Sequence, residues 1–291
     1  MALISRILAP VVFSDRCQDA TRYAAALACR FQSDLVLLHV FVQPWALYSS
    51  PEGYATPPPY DMDSTMEQVQ EQFDEFMAAE LRGLPVSRVL TEGDPARVIA
   101  QYACSEKCDL IVMPTHGYGP FRRFLLGSVT AKVLHDVARP IFTGPHMERA
   151  AVPEAPCFRK ILCALDLCPE SRGVLEWAAR FGAAFGSEIS ILHVLPAGTT
   201  RLEGIYFDPR WRIEMAANAR HEIADLQAGL NLKAEILIEV GDVPDAVRAV
   251  AETIHADLVV AGRGRAHGML GRLRANTYGI VRDSCCPVVA V

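Results

Sequence analysis

Gly117, Gly127 and Ser128 lie in the stretch PTHGYGPFRRFLLGSVTAKV, Pro114 to Val133, with nine residues between the two glycines. That arrangement suits capture of an anion. Glycine allows close backbone approach and takes angles that other residues avoid. Gly127 and Ser128 stand where a helix begins, and the free amides of a helix start attract phosphate. Ser128 and Thr130 add hydroxyl donors, and His116 sits one place before Gly117. His116 would contact the phosphate or, in a second reading, transfer a proton. The same residues also read as a plain strand-loop-helix connection with Ser128 as its N-cap. The pattern is neither a Walker A loop nor a Rossmann fingerprint. Lys before Ser/Thr is missing, and so is GxGxxG after the first strand.

Other chemistry has little foothold. There is no GxSxG elbow for a hydrolase triad, and no His-x3-His pair or acidic cluster for a metal. His39 and His193 occupy equivalent LHV positions and read as packed strand residues. Asp94 and Asp242 follow glycines ahead of helical runs and read as caps. The nine cysteines are irregularly spaced. They read as small buried hydrophobes in a reducing cytoplasm rather than as a disulfide or zinc framework. No catalytic residue and no metal ligand is assigned.

The elements that must position the glycine loop are written twice. RILAPVVFSD at Arg6 is echoed by KILCALDLCPE at Lys160, and CDLIVMPTHG at Cys108 by ADLVVAGRGR at Ala256. Ile7 to Ile161 and Val40 to Val194 are shifted by 154, whereas Gly93 to Gly241 and Asp109 to Asp257 are shifted by 148. The first copy therefore carries about six extra residues, in the Pro-rich stretch Pro44 to Asp61 with Trp45, Tyr48 and Tyr54. That stretch reads as a surface insertion or as a partner or pocket surface. The expected division is a first domain over 1–146, a linker over 147–157 and a second domain over 158–291.

In the first copy, strands are expected near 5–12, 34–41, 86–91, 109–114 and 140–144. Helices are expected near 16–31, 64–83, 95–106 and 127–138. The nearly unbroken apolar runs LVLLHV and LIVM suit strands buried on both faces of a parallel sheet. Alternating strands and helices imply βαβ units, hence two tandem doubly wound, open parallel-sheet α/β domains. Ligands of such folds bind beyond the carboxyl ends of the strands, where strand order reverses.

Bulk properties narrow the partners. A chain of 291 residues, 51% hydrophobic and 21% charged, suits two globular domains. A formal charge of -6 gives no footprint for nucleic acid. No apolar run approaches the ~20 residues needed to cross a bilayer, and the N-terminal run lacks the flanks of a signal peptide. The expected location is the cytoplasm.

These motifs resemble the universal stress protein family in its tandem form, and the likeness spans nearly all of both halves. Nucleotide-binding copies of that family carry G-x2-G-x9-G-[ST] after the fourth strand. Gly117, nine residues, Gly127 and Ser128 supply the last three parts, GSVTAKVL continues in the same style, and Pro114 replaces the first glycine. The resemblance implies an adenine nucleotide (ATP, ADP or AMP) with its phosphates on Gly117, Gly127, Ser128, Val129 and Thr130; Mg²⁺ could accompany ATP, although no loop carboxylate of the first half is an obvious ligand for it. Pro10, Val40, Met113 and His116 complete the expected set in the first half. Asp166, Val194 and Gly262 form it in the second.

The two copies depart from the family pattern in opposite ways. The family places an Asp at the end of strand one toward the adenosine. Here the first copy has Val12, and the second keeps Asp166 as a ligand contact or a helix cap. In the second loop Arg265 takes a glycine place and Ala275-Asn276 stands for Gly-Ser. Arg263, Arg265, Arg272 and Arg274 would meet an anion or form a solvated basic loop. The resulting expectation is a non-enzymatic binding or signalling module that holds nucleotide in at most one half, through the first loop. A slow ATPase and a scaffold with degenerate sites stand as alternatives. The resemblance also implies intramolecular pairing of the halves through their fifth strands, RPIFTG and CPVVAV, with further homodimer formation open.

Overall fold

The computed structural model describes residues 3–43, 62–116, 126–144, 156–196, 209–263 and 272–291. They form two compact units. The first contains β1 (Arg6–Pro10), α1 (Asp15–Phe31), β2 (Asp34–Phe41), α2 (Met62–Glu75), β3 (Val86–Glu92), α3 (Pro95–Ser105), β4 (Leu110–Val112) and α4 (Ser128–Asp136). The second begins with β5 (Ile141–Thr143) and β6 (Lys160–Ala164), followed by α5 (Ser171–Phe185), β7 (Glu188–Pro196) and α6 (Pro209–Ala228). It closes with β8 (Glu235–Gly241), α7 (Val243–Ile254), β9 (Leu258–Ala261), α8 (Arg272–Asp283) and β10 (Val288–Ala290).

In the first unit the strands run β3-β2-β1-β4, all parallel. The second repeats this as β8-β7-β6-β9, adds β10 in parallel, and places β5 antiparallel on β10 with Phe142 opposite Val289. All three residues of β5 are buried, as are those of β10. Two short apolar strands of this kind must find a ladder partner or expose their backbone. From Leu35 onward every residue of β2 is buried, which explains its continuous apolar run.

Helix boundaries follow from capping. Ser14 accepts from the amide of Cys17 at the start of α1, and Asp94 accepts from Arg97 at 2.9 Å ahead of Pro95 in α3. Asp242 plays the same part for α7. At the end of α5, Gly186 adopts φ 67°, the left-handed turn that stops a helix.

The duplication extends to single hydrogen bonds. Asp109 accepts from the amides of Ser5 and Arg6 at 2.7 and 3.1 Å, and Asp257 accepts from Arg159 and Lys160 at 2.7 and 2.9 Å. His39 Nδ1–H donates to Val11 O at 2.8 Å, and His193 Nδ1–H donates to Leu165 O at 2.8 Å. A carbonyl can only accept, which fixes the proton on Nδ1 in both rings. Strand order reverses between β1 and β4 and again between β6 and β9, so each unit has its crevice beyond those strand ends.

Candidate functional site

The crevice of the first unit is a cavity of about 330 Å³. Pro10, Val11 and Val12 line it from the end of β1, Val40 and Val42 from β2 and its exit, and Met113, Pro114 and His116 from the segment after β4. Pro95 and Ile99 of α3 and Cys17 of α1 close the sides. Gly127, Ser128, Val129 and Thr130 complete the wall, so the first turn of α4 faces the cavity.

Two contacts hold that helix start against the strand end. The amide of Gly127 donates to Thr115 O at 2.8 Å, and the Thr130 hydroxyl donates to Pro114 O at 3.0 Å. A Cβ at Gly127 would lie 3.0 Å from Thr115 O and 3.4 Å from His116 Cα, so the close approach itself requires glycine. Gly127 is the N-cap and offers no side-chain cap. The amides of Ser128, Val129 and Thr130 thus occupy the first turn, where a helix leaves its N–H groups without intrahelical partners. His116 is half-buried, with Nδ1 3.0 Å from Thr115 Oγ1.

The second unit has its crevice at the equivalent place, about 390 Å³ in volume. Asp166, His193, Val194, Asp242, Gly262, Asn276 and Thr277 are among its lining residues, with Met215 of α6 and Val247 of α7. Asp166 is exposed; its Oδ1 accepts from Cys168 N at 3.2 Å and from the Ser171 hydroxyl at 3.1 Å. It therefore shapes the turn into α5 while also facing the cavity. The Thr277 hydroxyl donates to Gly262 O at 3.1 Å, the counterpart of Thr130 and Pro114.

The two crevices lie at equivalent strand ends of the two repeats. A sequence profile described as the Universal stress protein family matches residues 4–142 and again 158–291. The chain belongs to the universal stress protein family. Similar proteins include Universal stress protein MJ0531 of Methanocaldococcus jannaschii, 29% identical over 143 residues, or 48% of this chain and 81% of that one. Universal stress protein A homolog 1 of Coxiella burnetii is 26% identical over 138 residues, covering 46% of this chain and 96% of its own. Among solved structures, a universal stress protein from Archaeoglobus fulgidus aligns with TM-score 0.68 and 21% identity over 98% of this chain and 95% of that one. Tandem universal stress protein domains on an α/β fold are thereby established.

Of the residues expected from sequence, Pro10, Val40, Met113, His116, Gly127, Ser128, Val129 and Thr130 share the first cavity, and Asp166, Val194 and Gly262 share the second. Gly117 lies outside the described residues, as do the Pro-rich stretch 44–61 and Arg265. Three details of the sequence reading change. Ser128 is the first helical residue rather than the N-cap. The Thr130 hydroxyl is engaged by Pro114 O, so it is not a free donor. The equivalence of Thr130 and Thr277 sets Arg274-Ala275, not Ala275-Asn276, against Gly127-Ser128, because the second loop is one residue shorter.

Sequence reasoning missed Val42, Pro95, Ile99 and Cys17 in the first wall and Met215, Val247 and Thr277 in the second. The repeat carried a signal for Thr277, had the helices been aligned on their threonines. Arg263 is half-buried, and burial pushes its pKa down to about 10.

Cys163 in β6, Cys108 just before β4 and Cys286 just before β10 are all buried. Burial pushes the thiols of Cys163 and Cys286 up to about 12 and that of Cys108 up to about 11. Among the described residues, no group of three His, Cys, Asp or Glu side chains could hold a metal ion. No helix among them is long and apolar enough to cross a membrane.

Proposed function

We propose that this universal stress protein is a non-enzymatic binding module whose N-terminal cavity receives an adenine nucleotide by its phosphate end. The observation that carries the reading is the meeting of an apolar strand-end cavity with the first turn of α4, held there by the bonds from Gly127 to Thr115 and from Thr130 to Pro114. The amides of Ser128, Val129 and Thr130 would hold the phosphate, with Gly117 contributing from the same loop. Val40, Met113 and Pro10 would bed the flat base. Mg²⁺ would travel with ATP on its own phosphates, since the described wall offers no carboxylate ligand. The C-terminal cavity keeps Asp166 but has lost the glycine start of the helix, so one occupied half is expected.

In this reading the repeated domains span 1–146 and 158–291, β5 being the segment of the first repeat that packs within the second unit, and the protein works in the cytoplasm. Mass spectrometry of small molecules released on denaturing the purified protein, followed by calorimetric titration with ATP, ADP and AMP, tests it. A co-purifying adenine nucleotide, or saturable heat with one site per chain, is expected. Adenosine matching AMP in affinity would refute the phosphate anchor.

A further inference from the structure

We infer that the N-terminal cavity selects a phosphate ester by its apolar or aromatic body and does not read a sugar, with Val12 as the residue that sets this breadth. The inference rests on the phosphate seat proposed above and concerns what the rest of the cavity recognises. Its wall is built from Pro10, Val11, Val12, Val40, Ile99 and Met113, with similar apolar neighbours. Among the described residues the polar members are His116, Ser128 and Thr130, all at the α4 end, and the Thr130 hydroxyl already donates to Pro114. Charge recognition is therefore gathered at one end and apolar surface at the other.

The second unit supplies an internal comparison. At the register of Val12 it places Asp166, one of the residues lining the equivalent cavity. A carboxylate at that corner can accept from hydroxyl or amine groups of a ligand; a valine cannot. A ribose placed against Val12 would lose its water without gaining an acceptor, which weighs against binding. An aromatic or acyl body meets no such penalty and buries its surface against the strand ends. A corner without a side-chain acceptor also cannot reject ligands for lacking hydroxyls. Val12 is half-buried, and its amide lies 3.4 Å from Cys17 Sγ.

The test uses the full chain with AMP, 2′-deoxy-AMP and 1-naphthyl phosphate. Affinities are read by calorimetry, and the site is read from amide shifts at Ser128, Val129 and Thr130. The expected result is that 2′-deoxy-AMP equals AMP and that naphthyl phosphate binds at least as tightly. Val12→Asp should then shift the ratio toward AMP by about tenfold or more. The wild-type comparison stands alone if that variant misfolds. AMP binding tenfold or more above both other probes would overturn the inference while leaving the phosphate seat intact. No shift at those amides with any of the three would overturn both.

Discussion

The hydroxyl of Thr130 donates to the carbonyl oxygen of Pro114 at 3.0 Å, tying the first turn of α4 to the exit of β4. Thr277 and Gly262 repeat the bond in the second unit at 3.1 Å. Thr130→Val keeps shape and removes the donor, leaving a buried carbonyl unpaired. Thermal or denaturant unfolding should report a loss of about 1–3 kcal/mol. Thr130→Ser should recover most of it, and a Val variant as stable as the parent would show the tie to be dispensable.

Gly127→Ala probes the close approach directly. The added methyl would stand 3.0 Å from Thr115 O, a backbone atom that cannot swing aside. Displacing α4 from the strand end should lower stability by about 1–3 kcal/mol and weaken any ligand held at the first turn. The same change at Gly186 meets no neighbour within 4 Å, but its φ of +67° makes it a test of backbone strain instead. A Gly127→Ala protein with unchanged stability and ligand affinity would contradict the packing described.

His39 is stacked on Phe13 with ring centroids 4.5 Å apart, and burial holds its pKa below the ordinary 6.5 despite the bond to Val11 O. The folded protein thus binds this proton less readily than the unfolded chain. The stabilising contribution is complete above about pH 6.5 and is lost as the pH falls from there toward the lower folded value. His39→Asn retains a donor for Val11 and removes the titration. Denaturation curves between pH 5 and 7 should be flatter for the variant than for the parent; equal slopes would reassign the effect.

Alkylation of the native protein should separate the thiols. Cys29, Cys104 and Cys157 are exposed, whereas Cys163 and Cys286 are buried with thiols raised to about 12. Peptide mapping after brief iodoacetamide treatment is expected to find the first three modified and the last two intact. Early labelling of Cys163 would show that the β6 core opens far more readily than its burial implies.

Much of the fold was legible because its signals are local and doubled. LVLLHV and LIVM announced buried parallel strands, and the caps Asp94 and Asp242 followed from type and position alone. The cavity was legible only where strand ends and the glycine loop speak in sequence. Pro95 and Ile99 reach the wall through the tertiary placement of α3, which no short motif encodes. The engagement of Thr130 was hidden for a similar reason. Its partner lies sixteen residues away, and no short motif pairs the two.

The amide resonances of Ser128, Val129 and Thr130 provide the most direct measurement, followed in the isotope-labelled full chain during titration with AMP and, separately, adenosine. The account predicts saturable shifts at these three residues with AMP and markedly smaller ones with adenosine. Shifts confined to the surroundings of Asp166 and Gly262, or equal responses to both compounds, would contradict it.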